Sequence, residues 1–394
     1  INKVKTLNSL TTNMKIKQID PKKPKTALLL TGGGARAAYQ VGVLKALAHS
    51  MPRTAPLPFR IINGTSAGAI NSAALACYAS CAHLAVRKLE SVWKNFSTSM
   101  VYKSDFLSVF GHIARNILTS FQSEHINHPP ASLLNNRPLR GLLNEILDLH
   151  RIERNLHRNY LEALSITASS YTTGDSVAFF QSNTQTAWQR AKREGRPTRI
   201  NVEHLMASSA IPMVFPSVNI HNHYFGDGSI HQLSPLSPSI HLGAEKIFII
   251  GVDEPKEPHP PGYSAHYPGL SAVAGHLLDS VFTDTMQSDL ERLGRINRTL
   301  GLLPARDKHQ ELKQIDSFII NPSQNFNVIA AQYYNDMPWA IKVLLRTIGV
   351  KKHSQSSLTS YLLFEKRYTQ HLMEIGYQDG MAKLPEIRAF LGLD

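Results

Sequence analysis

The chain has 394 residues, 42% of them apolar and 18% charged, with 42 Lys+Arg against 29 Asp+Glu and a formal net charge of +13. This composition excludes global disorder and fits a protein that buries a sizeable core. No apolar run reaches the roughly 18 residues of a membrane-crossing helix, and two cysteines are too few for a disulfide scaffold or a cysteine-based metal site.

Residues 1 to 25 hold seven lysines and a single acid, Asp20. They are expected to form a solvated basic tail, with contact to anionic lipid or nucleic acid as the alternative. The N-terminus lacks the apolar core of a signal peptide, so a cytoplasmic or peripheral membrane location is expected. "TALLL" (26 to 30) reads as a short buried strand that runs into Gly32, Gly33 and Gly34 and then a helical pattern over 35 to 49. "FRIIN" (59 to 63) repeats the arrangement, with a helix over 67 to 90 in which Cys77 and Cys81 are expected as buried small hydrophobes. Two strand-glycine-helix units in succession predict a buried, mostly parallel sheet.

The stretch 91 to 160 is helical or irregular, broken by "HPP" at 128 to 130, and resembles a cap or insertion. "ALSITASSY" (163 to 171) and "SVAFFQS" (176 to 182) flank "TTGD" as an antiparallel hairpin. "RAKREGRPTR" (190 to 199) reads as an exposed basic loop; no aromatic-studded sheet accompanies it, so no nucleic-acid partner is expected. "KIFIIGVD" (246 to 253) and "DSFIINPS" (316 to 323) are further strands, separated by a proline-rich stretch (254 to 269) that reads as a mobile loop. Helical spacing returns over 271 to 300 and 355 to 392. The expected organisation is a basic extension (1 to 24), one α/β domain (25 to 330) with a mostly parallel central sheet flanked by helices, and a C-terminal helical region (331 to 394) packed on it.

Gly64-Thr65-Ser66-Ala67-Gly68 is a G-x-S-x-G set where a strand ends and an Ala-rich helix begins. A serine on such a turn has its hydroxyl thrust clear of the sheet, and glycines remove side chains that would collide. The alternative is a glycine-rich turn with a capping serine. The earlier glycines could serve a dinucleotide, but Ala37 occupies the third glycine position and no acid follows Arg36 until Glu90. No P-loop pattern is present. Consecutive glycine N–H groups at a helix start serve an oxyanion equally well, provided a nucleophile exists elsewhere. For its base, Asp227 stands between Gly226 and Gly228 after Tyr224-Phe225. His221, His223 and His231 crowd nearby, which leaves a Ser-His-Asp triad open; their spacing fits no recognised zinc pattern.

A glycine loop after the first strand, G-x-S-x-G after the second and Asp-Gly-small much later resemble, in that order, the patatin-like phospholipase family. The resemblance covers most of residues 26 to 253, including "ASSAIPMVFP" (207 to 216), and "SYLLFEKRYTQHLMEIGYQDG" (360 to 380) is similar to the tail of bacterial members. It implies a patatin-like α/β fold and a Ser-Asp dyad without histidine. Ser66 would be the nucleophile and Asp227 the base, Gly32, Gly33 and Gly34 would line the oxyanion hole, and Gly64 and Gly68 would frame the nucleophile. Arg36 would help with phosphate or oxyanion charge. Ala37 and Ser229 depart from the family's usual residues, and both are small. The implied activity is two-step acyl hydrolysis of a membrane phospholipid or lysophospholipid, with peripheral membrane association and no metal or other cofactor. A catalytically degenerate lipid-binding protein and a Ser-His-Asp esterase are the competing readings, and oligomeric state stays open.

Overall fold

A computed structural model describes residues 24–104, 111, 132–255, 273, 285–303, 312–347, 349–350 and 356–394. The basic tail up to residue 23, "HPP" and the proline-rich stretch after residue 255 lie outside the described residues. The first strand, β1 (Thr26–Leu30), is buried at every position. Leu28 and Leu30 enter one core with Ile62, Phe248 and Ile250, whereas Ala27 and Leu29 enter a second with Ile61, Ile247 and Ile249. A strand covered on both faces reads as a continuous apolar run rather than an alternating one.

Nine further strands follow among the described residues: β2 (Ile61–Thr65), β3 (Ala163–Ser170), β4 (Ser176–Ser182), β5 (Trp188–Arg190), β6 (Arg193–Pro197), β7 (Val218–Ile220), β8 (His223–Asp227), β9 (Lys246–Ile250) and β10 (Asp316–Ile320). The sheet runs β10-β9-β1-β2-β3-β4-β6-β5. Its first five members are mutually parallel, and β4 joins β3 antiparallel as the expected hairpin. The basic stretch at 190 to 199 is not a loop: Arg193–Pro197 pairs with β4 and folds back on β5, extending the sheet to its edge. Alternate polar and small residues on an edge suffice for pairing when a neighbouring strand offers free backbone groups.

Helix α1 (Ala38–His49) follows a single 3-10 turn, Gly34–Ala37. Ten of its 12 residues are buried, because it shares its core with the sheet on one side and helix Lys366–Ala382 on the other. The predicted helix over 67 to 90 is two helices, α2 (Ala67–Cys77) and α3 (Ala82–Lys94). The chain breaks between them because a neighbouring loop captures its backbone: Leu57 N–H donates to Ala79 O and Ala82 N–H to Ala55 O. Cys77 therefore ends one helix, buried, with its thiol pushed up to about 12 by burial. Cys81 precedes the next helix and is only half-buried, contrary to expectation. Among the described residues no helix is long and apolar enough to cross a membrane.

Where α1 meets helix Lys366–Ala382 the two backbones touch. A methyl group on Gly376 would collide with the Tyr39 carbonyl oxygen. Gly376→Ala is expected to destabilise the fold by about 1–3 kcal/mol, the usual cost of overpacking. Chemical unfolding measures it, and an unchanged midpoint would refute the close crossing.

Candidate active site

Strand β3 is eight residues long and β2 only five. Along one edge of β3, parallel β2 ends with Thr65 opposite Thr167, and antiparallel β8 ends with Asp227 opposite Ala168. The C-terminal ends of β2 and β8 thus meet head to head. Ser66 is the next residue after Thr65, and its Oγ donates a 2.5 Å hydrogen bond to Asp227 Oδ2.

The turn at Ser66 is strained, with φ 56° and ψ −130°, a conformation that a non-glycine residue holds only when its surroundings over-determine it. Gly64 and Gly68 make the turn sterically possible: a methyl on Gly64 would strike the Gly68 carbonyl, and one on Gly68 the carbonyls of Leu30 and Thr31. Ser66 N–H donates to Ser208 Oγ at 2.9 Å, and Ser208 Oγ–H donates to Thr167 O at 2.6 Å. Ser208 therefore ties the turn to β3. Sequence reasoning did not single it out, since nothing in "ASSAIP" tells one serine from the other. Thr65 Oγ1 donates to Gln232 Oε1 at 3.0 Å, a second tie that no motif announces.

Asp227 is fully buried. Burial pushes its carboxyl up to about 6, against the opposing pull of hydrogen bonds from Ser66 and Ser229. Ser229 N–H holds Oδ1 at 3.0 Å, which leaves Oδ2 for the serine. Above that pH a carboxylate is poised to take the Ser66 proton. Helix α2 starts at Ala67, so its positive end adjoins the same hydroxyl.

Ser66 opens on a cavity of about 670 Å³ whose walls include Gly34, Ile70, Leu139, Phe215 and Phe364. The size falls in the range of small-molecule pockets, and the apolar walls suit a hydrocarbon chain. Gly34 reaches this cavity, in the left-handed region at φ 55°. Gly33 packs on Val252, and Gly32 borders a separate small gap beside Thr65 and Ser229. The N–H groups of Gly33 and Gly34 donate to no acceptor among the described residues.

One expectation is corrected, and one alternative finds no support in the geometry. Arg36 does not line the cavity; its side chain is 1% exposed. Its Nε donates to Ser360 Oγ and its Nη2 to Asn327 Oδ1, both at 2.8 Å. Glu254 pairs with it at 3.1 Å, and the Tyr361 ring lies 4.1 Å from the guanidinium carbon. A charge taken from water needs such compensation, and once compensated it has little left for a substrate phosphate. The histidines also stand aside. His221 and Asn222 turn the chain between β7 and β8, and His223 opens β8, at the end opposite Asp227. None of the three imidazoles bridges Ser66 and Asp227, which bond directly.

The patatin-like phospholipase family profile matches residues 28–239, more than half of the chain. Among solved structures, the chain is similar to VipD from Legionella pneumophila (13% identity over 92% of this chain and 67% of that chain, TM-score 0.33). It is also similar to the type III effector protein ExoU of Pseudomonas aeruginosa (12%, 92% and 53%, TM-score 0.36). A third is human GIVD cytosolic phospholipase A2 in complex with methyl gamma-linolenyl fluorophosphonate (12%, 94% and 59%, TM-score 0.42). The chain spans between about half and two thirds of the length of these proteins. No curated protein gives a significant match.

The raised carboxyl of Asp227 has a stability consequence. Folding favours its protonated form, so its contribution is intact below about 4 and is lost as pH rises through about 6. Asp227→Asn removes that penalty. The variant is expected to match wild type near pH 4 and to exceed it by on the order of 3 kcal/mol at most at pH 8. Thermal unfolding across that range checks the sign, and a wild type more stable at pH 8 would contradict it.

Proposed function

Because the chain belongs to the patatin-like phospholipase family, we propose that it is a lipid acyl hydrolase working through Ser66 and Asp227. The observation that carries the reading is the direct hydrogen bond from Ser66 Oγ to a buried carboxylate, with no imidazole between them. A carboxylate with an ordinary acidity would be a feeble base for an alcohol. Raised to about 6, that of Asp227 lies near the operating range that general-base catalysis favours.

In the first step Ser66 Oγ attacks the ester carbonyl while its proton passes to Asp227. The tetrahedral oxyanion is received by the N–H groups of the glycine loop at Gly33 and Gly34, supported by the positive end of α2. Losing one such donor typically costs about 3 kcal/mol of barrier. The alcohol half leaves with the proton from Asp227, and the acyl group stays on Ser66. In the second step Asp227 takes a proton from water, the hydroxide attacks the acyl-enzyme, and Ser66 regains its proton as the fatty acid departs. The apolar cavity beside Ser66 would hold the acyl chain, which favours a phospholipid or lysophospholipid at a membrane surface over a small polar ester.

Ser66→Ala and Asp227→Asn are each expected to lower hydrolysis of a phospholipid and lysophospholipid panel by on the order of a thousandfold or more, with folding intact by circular dichroism. Comparable turnover in either folded variant would remove the dyad. Since the ionised carboxylate is the base, acylation should fall tenfold per pH unit below about 6 and level off above it. A profile that shifts when His231 is replaced would point to an imidazole instead.

A further inference from the structure

Helix α3 separates two concavities. Toward one side its Lys88, Leu89 and Val92 belong to the wall of the Ser66 cavity. Toward the other, with α1 and the loop that follows α1, it encloses a groove of about 450 Å³ lined by Lys45, His49, Arg53, His83, Arg87 and Glu90. The groove's carboxylate is already committed: Glu90 pairs with Lys45 at 2.8 Å and with Lys94 at 2.7 Å. The two arginines are not. Arg53 and Arg87 are exposed, and neither guanidinium forms a hydrogen bond or ion pair among the described residues.

The histidines between them are held in place. The His49 and His83 rings stack with centroids 6.5 Å apart and planes 25° apart, and Tyr377 meets His49 edge-on at 5.6 Å. His83 Nε2 lies 3.0 Å from the Met51 carbonyl oxygen, which can only accept; the proton therefore sits on Nε2. The result is a groove with two free donor forks, a fixed aromatic floor and an excess of positive charge. Guanidinium forks match phosphate oxygens in pairs, and this is the chemistry that selects arginine over lysine at phosphate sites.

We propose that this groove binds the phosphomonoester group of an anionic phospholipid headgroup, and that it seats the protein on the bilayer that supplies its substrate. The inference rests on the lipid-hydrolase reading of the Ser66 cavity. What favours a lipid as the source of the phosphate is position. Arg87 faces the groove and its chain neighbour Lys88 faces the Ser66 cavity, and Arg87, Lys88, Ser91 and Lys94 form an exposed, mostly basic ridge of α3 between the two. A headgroup held at Arg53 and Arg87 lies one helix width from the cavity that would take an acyl chain.

The test is vesicle binding by Ser66→Ala protein, so that its outcome is independent of whether Ser66 is the nucleophile; that question is read from hydrolysis by the wild type. Cosedimentation should show preference for phosphatidylcholine vesicles carrying phosphatidylinositol 4-phosphate over phosphatidylcholine alone. Adding Arg53→Ala and Arg87→Ala should weaken that binding at least about tenfold, with an unchanged thermal midpoint. Adding Arg295→Ala and Arg298→Ala, exposed on a different helix, should leave it nearly intact. Equal losses in the two double variants, or no preference between the vesicles, would overturn the site. Titration with inorganic phosphate separates the sources: saturable binding lost with Arg53 and Arg87, without any preference for the phosphorylated vesicles, would make the ligand a free anion and overturn the lipid assignment.

Discussion

Strand β3 outruns its neighbour β2 by three residues, and the site depends on that difference. β2 pairs with Ala163 to Thr167, which leaves Ala168, Ser169 and Ser170 on the same edge for another strand. β8 takes that place in the opposite direction. Two chain ends separated by 161 residues in sequence are thereby placed in adjacent ladder positions, and the 2.5 Å contact between Ser66 and Asp227 follows from register. Backbone hydrogen bonds on a doubly buried sheet are rigid supports, better suited to holding a short contact than loops. Ser208, anchored to the Thr167 carbonyl, brings the third support from the same strand.

Burial then sets the chemistry. The same packing that hides Asp227 raises its affinity for a proton, and the hydrogen bonds from Ser66 and Ser229 limit how far. Arg36 shows the opposite solution to the same desolvation problem. It keeps its charge by gathering Glu254, Asn327, Ser360 and the Tyr361 ring around the guanidinium. One buried group has hydrogen bonds from Ser66 and Ser229 but, among the described residues, no cation beside it, and holds a proton more tightly; the other is surrounded and becomes a joint between distant segments.

Much of this was readable in the sequence where a local rule has no substitute. The parallel strands announced themselves because both faces must be apolar, and Gly64 and Gly68 because no side chain fits the turn around Ser66. Gly64 nevertheless misled on the strand limit: β2 runs on to Thr65 because Ile166 and Thr167 of β3 offer it partners, a fact outside its own sequence. The break between α2 and α3 has neither proline nor glycine to mark it, since a distant loop makes it. The turn at His221 and Asn222, both with positive φ, hid the hairpin of β7 and β8 because it lacks the glycine that usually signals such a turn. Arg36 could not be placed at all from local pattern. Its partners lie more than 200 residues away, and only tertiary structure shows whether an arginine faces a ligand or a tyrosine.

The long reach of that arginine bears on the order in which the chain is made. Thr31 to Ala37 leave the ribosome long before the groups that support them: Tyr361 presses its carbonyl against Gly34, and Ser360, 324 residues after Arg36, bonds its side chain. A growing chain can pair β1 with β2 and even bring up Asp227 while the glycine loop still lacks its backing. Only when residues 356 to 382 have emerged can the loop settle against them. The fold thus ties the glycine loop to a segment made 324 residues later, so that a chain that stops short of Ser360 and Tyr361 lacks the loop's buttress.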